Sequence, residues 1–146
     1  MKKFVFKLQK VLDYKFEIEE KKKDEFAKAQ KKLLFEKNKL ENLIERKKSA
    51  VEDKSNYKSK LDYQLLLNYI DFIDDKIENQ MAEIKKAEDE FAIKKDELIK
   101  STADRKVIEK LKEKAKDEFD LETGQKEQKL NDDFALFSYV RGGSAK

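Results

Sequence analysis

Apolar residues recur at Leu66, Ile70, Ile73, Ile77, Met81, Ile84, Ala87, Phe91 and Leu98, with Gln80 beside Met81. Only the position near Lys94 lacks an apolar residue. The steps of three and four average about 3.5 residues, the period that keeps a seam on one side of a slightly supercoiled helix. Neither Pro nor Gly interrupts the run. So narrow a seam cannot be buried within one helix, and the pattern calls for a second helix to cover it.

The upstream chain supplies a weaker ladder. Leu8, Val11/Leu12, Ile18, Phe26, Ala29, Leu33, Leu40, Leu43/Ile44 and Val51 carry it, and the same period passes through Lys22, Glu36 and Lys47. Before it, Phe4, Phe6 and Leu8 alternate as in a strand. With no neighbouring strand signal, this reads as a short frayed lead into the first helix. Glu17–Lys21, Glu19–Lys23, Glu90–Lys94 and Asp96–Lys100 have the i,i+4 spacing of favourable exposed pairs.

The break falls at Lys54-Ser55-Asn56-Tyr57-Lys58-Ser59. Ser and Asn compete with the helical backbone for hydrogen bonds. Ser59 or Ser55 can cap the next helix, and Asp62 stands three residues after Ser59 as in a capping box. These signals predict an all-α fold, a long antiparallel two-helix coiled-coil hairpin over residues 1–141. The first helix spans about 7–54, the turn about 55–59, and the second helix about 60–140. At 1.5 Å per residue the second helix is about 120 Å long. A disordered tail is expected at 142–146, where Gly142-Gly143-Ser144 stands.

A chain folded at residue 57 brings together residues whose numbers sum to about 114. Leu40 then faces Ile73, Leu43/Ile44 faces Ile70, Leu33 faces Met81 and Val51 faces Tyr63. A loop of a few residues suits antiparallel helices. The same register puts Leu8 near Lys106, so the second helix should outrun the first from about Glu109. Leu111, Ala115, Phe119, Leu130, Phe134, Phe137 and Tyr139 lie in that overhang, and exposed apolar surface of that extent usually marks a partner site. The alternative is that the helix bends back at Gly124 and covers itself.

Composition agrees with a long helix. Charged residues make up 46% and hydrophobic ones 38%, and the mean hydropathy is −0.94. Such values also describe disordered chains. Against disorder, 35 basic and 32 acidic residues nearly cancel to a net +3, and the chain has three Gly and no Pro. The clusters Lys21–Lys23 and Lys31–Lys32 alternate with acids, which suits a solvated helix face better than a nucleic-acid site.

His and Cys are absent. This removes disulfides, thiol nucleophiles, imidazole bases and the usual zinc sets. There is no Gly-rich phosphate loop and no nucleophile–base pair. No enzymatic activity, cofactor or metal is expected. The apolar runs are too short to span a bilayer. Met1–Phe6 has the start of a signal-peptide pattern, but Lys7 and Lys10 break it and no small-residue cleavage site follows. A soluble cytoplasmic protein is expected.

Three stretches resemble a known family. They are Phe4-Val5-Phe6-Lys7-Leu8-Gln9-Lys10-Val11-Leu12 at the start, Asn68-Tyr69-Ile70-Asp71-Phe72-Ile73 after the turn, and a C-terminal set. That set is Lys106–Glu113, Phe119, Glu122 and Glu127-Gln128-Lys129-Leu130-Asn131-Asp132-Asp133-Phe134-Ala135. Their order and the chain's length are similar to the FliJ family, a small component of the bacterial flagellar type III export apparatus. Asn131 stands before Asp132 and Asp133 where the family often has Glu, which bears on individual contact roles.

The resemblance implies a non-enzymatic hairpin similar to the central stalk of rotary ATP synthases. It implies three partners: the hexameric flagellar export ATPase, the export-gate membrane protein and the flagellar export chaperones. Carried onto this chain, the ATPase-ring contact would involve Phe4, Phe6, Leu8, Leu111, Phe119, Glu127, Gln128, Lys129, Leu130, Asp132, Asp133 and Phe134. The export-gate contact would involve Tyr69 and Phe72. No nucleic acid is implied, and the protein would sit in the cytoplasm at the inner face of the cell membrane, held through its partners. A generic coiled-coil scaffold or homodimer is the alternative reading of the same pattern.

Overall fold

The computed structural model describes residues 2–53 and 58–144. Two helices account for almost all of them, α1 (Gln9–Glu52) and α2 (Lys60–Ser144). The helices pack against each other as the all-α antiparallel coiled-coil hairpin that the 3.5-residue period predicts, with no strand among the described residues. The expected turn at about 55–59, with Ser55 as one candidate cap, lies largely outside the described residues. Ser59 does cap α2. Its Oγ accepts from the Asp62 N–H at 3.2 Å and its carbonyl from the Tyr63 N–H at 3.2 Å, filling two of the donor positions a helix start leaves open. At the other end α2 runs through Gly142 to Ser144, past the stop expected near Val140.

By contact the chain divides into two compact units. One is 18–101 and the other combines 1–17 with 102–146. In the first, the seam of α1 runs through Glu19, Lys22, Phe26, Ala29, Leu33, Glu36, Leu40, Leu43, Lys47 and Ala50, with Ile18, Glu25 and Val51 half-buried beside it. That of α2 runs through Leu66, Ile70, Ile73, Ile77, Gln80, Ile84, Ala87, Phe91, Lys94, Leu98 and Ser101, with Asp62, Asp74 and Glu97 half-buried off it. Both sets alternate steps of three and four, which is knobs-into-holes spacing. The Phe26 and Phe91 rings meet at 5.0 Å, and Ile73, Ala29 and Ala87 are buried.

Gln80, and not Met81, takes the seam position, and Met81 is 53% exposed. The step of three from Ile77 and four to Ile84 selects residue 80 geometrically, and hydrogen bonding makes a polar side chain tolerable there. Its amide donates to the Glu36 carbonyl at 2.9 Å and to the Glu36 carboxylate.

Register differs from the sequence expectation by about five residues. Lys22 meets Glu97, Glu25 meets Lys94, Phe26 meets Phe91 and Lys47 meets Asp74, so contacting numbers sum to about 119 instead of 114. Side chains lean toward the N-terminus of their own helix. In an antiparallel pair, those of α1 lean away from the connection and those of α2 toward it. Contacts therefore join residues farther along α2 than the axial neighbours.

In the second unit, Leu12 is buried and Arg105, Ile108, Ala115, Phe119 and Thr123 are half-buried on α2. Residues 2–6 lie outside the helices, and half-buried Phe4 and Phe6 on either side of Val5, 77% exposed, give them the alternating pattern of an extended segment. The strand-like alternation is therefore no frayed lead. It describes a strap whose alternate side chains face α2. The Phe4 ring lies 5.6 Å from the Phe119 ring. An extended residue advances about 3.3 Å against 1.5 Å in a helix, so the strap covers about four more residues of α2 than a helical continuation would reach. The bare part of α2 begins after Thr123, well beyond Glu109. From 124 to 142 every residue is exposed.

Gly124 does not interrupt the helix. It lies inside α2, and its φ is not positive.

Candidate functional site

The expected ATPase-contact residues separate into two environments. Phe4, Phe6, Leu8 and Phe119 help line a groove of about 860 Å³ between the strap and α2, with Ala115, Leu121 and Glu122. Phe4, Phe6 and Phe119 are partly covered by this packing, whereas Leu8 and Leu111 are 40% and 45% exposed. Glu127, Gln128, Lys129, Leu130, Asp132, Asp133 and Phe134 all stand in water on the bare end of α2.

On that bare end Leu130, Phe134 and Phe137 follow the spacing i, i+4, i+7 and line a small cleft of about 360 Å³ with Asp133. Each of the three apolar side chains is 60% exposed or more. The guanidinium of Arg141 lies 5.9 Å from the Phe137 ring, an arrangement that attracts a cation to the ring face. A helix face this apolar is suited to a groove in another protein.

Tyr69 and Phe72 lie on the unit 18–101. They are 41% and 54% exposed, and Tyr69 borders a cleft with Glu45, Ser49 and Ala50 of α1. The Lys76 ammonium stands 4.8 Å from the Phe72 ring.

Residues 3–144 match the family model described as Flagellar FliJ protein. The chain belongs to the FliJ family. Family membership makes it a component of the flagellar export apparatus. No curated protein and no solved structure matches the chain. The family match takes in the strap, the helix after the cap and the bare end together. Among the described residues no helix is long and apolar enough to cross a membrane, and no group of His, Cys, Asp and Glu is placed to hold a metal ion.

The interruptions of the ladder are paired across the two helices. Lys22 Nζ is 3.1 Å from Glu97 and 3.3 Å from Glu25, and Lys94 Nζ is 3.4 Å from Glu25 and 3.5 Å from Glu97. These four charges form a closed ring. The Glu97 carboxylate, then that of Glu25, raises the Lys22 pKa, and Glu25 does so first for Lys94. Desolvation works against the Glu25 carboxylate, but hydrogen bonds from Lys22 and Lys94 outweigh it and hold its pKa low; Lys22 chiefly holds that of Glu97 low. Lys47 Nζ meets Asp74 at 2.6 Å. The expected Glu90–Lys94 pair is replaced, because Lys94 turns to this ring and Glu90 faces Lys32 at 3.8 Å. Glu19 is 3% exposed, with the Lys23 ammonium at 3.5 Å as spaced in sequence.

Sequence reasoning placed Lys22, Glu36, Lys47 and Lys94 in the seam without finding their partners. The signal was present in the opposite charges at numbers summing near 119, hidden by the assumed register. Polar seam residues that pair only in one alignment fix register in coiled coils, and that is the role these contacts fit.

Proposed function

We propose that the chain is a non-enzymatic export factor that binds and stimulates the hexameric flagellar export ATPase. The bare end of α2 after Thr123 supports this reading most directly. Leu130, Phe134 and Phe137 are each at least 60% exposed, and each would contribute about 1.5–3 kcal/mol on full burial. Glu127, Lys129, Asp132 and Asp133 around them would set orientation and encounter more than affinity. The mechanism is an equilibrium shift. A helix that fits the assembled ring better than free subunits favours the assembled, active form.

The strap enters this reading in an altered role. Phe4 and Phe6 hold α2 at Phe119 and so steady the base of the bare end, and they meet the ring only at its rim. Tyr69 and Phe72 are the proposed export-gate contact, supported by their exposure and their place in the family-like segment. Escort of export chaperones completes the role, carried out at the inner face of the cell membrane through partners. No cofactor and no nucleic acid is involved.

Co-sedimentation with the purified ATPase tests the reading. Phe134→Ala with Phe137→Ala should weaken binding at least tenfold while the helical circular-dichroism signal is kept. Unchanged binding would remove the bare end from the contact. A second reading, a homodimer through the same apolar face, predicts a concentration-dependent dimer in analytical ultracentrifugation, where the export-factor reading predicts a monomer.

A further inference from the structure

On the unit 18–101 a groove of about 680 Å³ runs between α1 and α2. Four cations border it, Lys39 and Arg46 from α1 and Lys76 and Lys86 from α2, against one carboxylate, Glu83. Lys86 is 3.5 Å from Glu83. Among the described residues no carboxylate forms an ion pair with Lys39, Arg46 or Lys76, whereas Lys22, Lys47 and Lys94 each have one. Two of these ammonium groups rest on aromatic faces. Lys39 lies 4.6 Å from the Phe35 ring and Lys76 4.8 Å from the Phe72 ring, contacts that hold a lysine in place without neutralising it. The amides of Asn42 and Asn79 on the groove wall add donors that suit carboxylate oxygens.

We propose that this groove binds an acidic segment of a partner protein. Its dimensions set the size of that segment. Lys39 and Arg46 are two helical turns apart, about 10 Å, and Lys76 and Lys86 about 15 Å. Two or three carboxylates on a short peptide or one helix face match that span. The apolar side chains of Leu43 and Ala82 in the groove offer contact to the segment's methylene groups. A nucleic acid fits worse. Its phosphates continue past the patch in both directions, and Glu41, Glu45, Asp75 and Glu78 lie close by in sequence on the same two helices, where they repel a continuous polyanion. The groove's charge stands apart from the gate reading of Phe72, and the inference holds whether or not Phe72 meets the gate.

The test uses the full chain and a fluorescein-labelled octaglutamate peptide, followed by anisotropy. Binding should be measurable at low salt and weaken strongly between about 50 and about 500 mM NaCl, as screening of exposed charges requires. The triple variant Lys39→Glu, Arg46→Glu, Lys76→Glu should lose at least tenfold in affinity. Lys106→Glu, Lys110→Glu, Lys114→Glu changes net charge equally and should stay within about twofold of the unmodified protein. Lys39→Gln with Lys76→Gln gives an intermediate loss without charge reversal, which guards against a folding artefact in the triple variant. No binding at low salt, or equal loss in the two triple variants, overturns the proposal. So does tighter binding of an eight-nucleotide single strand through the same three residues.

Discussion

The ring of Phe4 lies 5.6 Å from that of Phe119, with the planes tilted by 53°. This contact joins the second unit's extended strap to the middle of its long helix. A tilted aromatic pair contributes about 0.5–1.5 kcal/mol beyond its area burial. Phe4→Ala should therefore loosen α2 locally. Amide hydrogen exchange in residues 112–122 should speed up several-fold, while exchange in residues 26–47 stays as it was.

The four-charge ring gives stability a defined pH window. Glu25 and Glu97 titrate below the ordinary 4.5 in the folded state. Their contribution is complete above that value and lost as pH falls through the lowered folded values. Lys22 and Lys94 titrate above the ordinary 10.5. Their contribution is complete below it and lost as pH rises through the raised values. The melting temperature should be flat between about pH 5 and about pH 10 and fall on both sides. Glu25→Gln with Glu97→Gln should lower the plateau and flatten the acid limb, read by thermal melts across the pH range.

Gln80 and Glu36 exchange stability for alignment. Replacing both partners of a hydrogen bond by apolar groups of similar shape is nearly neutral or stabilising. Glu36→Leu with Gln80→Leu should raise the denaturant midpoint. The same variant should broaden the distance distribution between spin labels at Lys39 and Asp75, because one contact that holds the alignment is gone. A higher midpoint with an unchanged distribution would assign register to the charge pairs alone.

Gly124 lies within α2 with nothing within 4 Å of the place a Cβ would occupy. Gly124→Ala should stabilise the helix there by about 1 kcal/mol. Slower amide exchange at residues 120–128, with no change at 70–90, is the expected reading.

The fold was legible because its period is dense. Leu66 to Leu98 states the seam almost residue by residue, and Ser59 with Asp62 states where α2 begins. Register was not legible, since it depends on side-chain lean that a count from the turn ignores. Nor was the strap. Phe4 and Phe6 showed their alternation, but an extended segment packed on a helix has no partner strand to announce it. For the interaction surfaces, the C-terminal apolar residues were visible as a leftover. The pattern could not separate Phe119, which Phe4 partly covers, from Phe134, which is 66% exposed. The basic groove stayed hidden because Lys39, Arg46, Lys76 and Lys86 are scattered among acids in sequence and meet only when the helices pair.

The central claim is that the bare end of α2 grips the export ATPase ring, and ATP hydrolysis by the purified ATPase tests it most directly. The full chain should raise the hydrolysis rate. A chain ending at Gly124 keeps the Phe4–Phe119 contact and the whole unit 18–101, and should raise it several-fold less. Equal stimulation by the two chains would contradict the account and move the ring contact elsewhere on the helices.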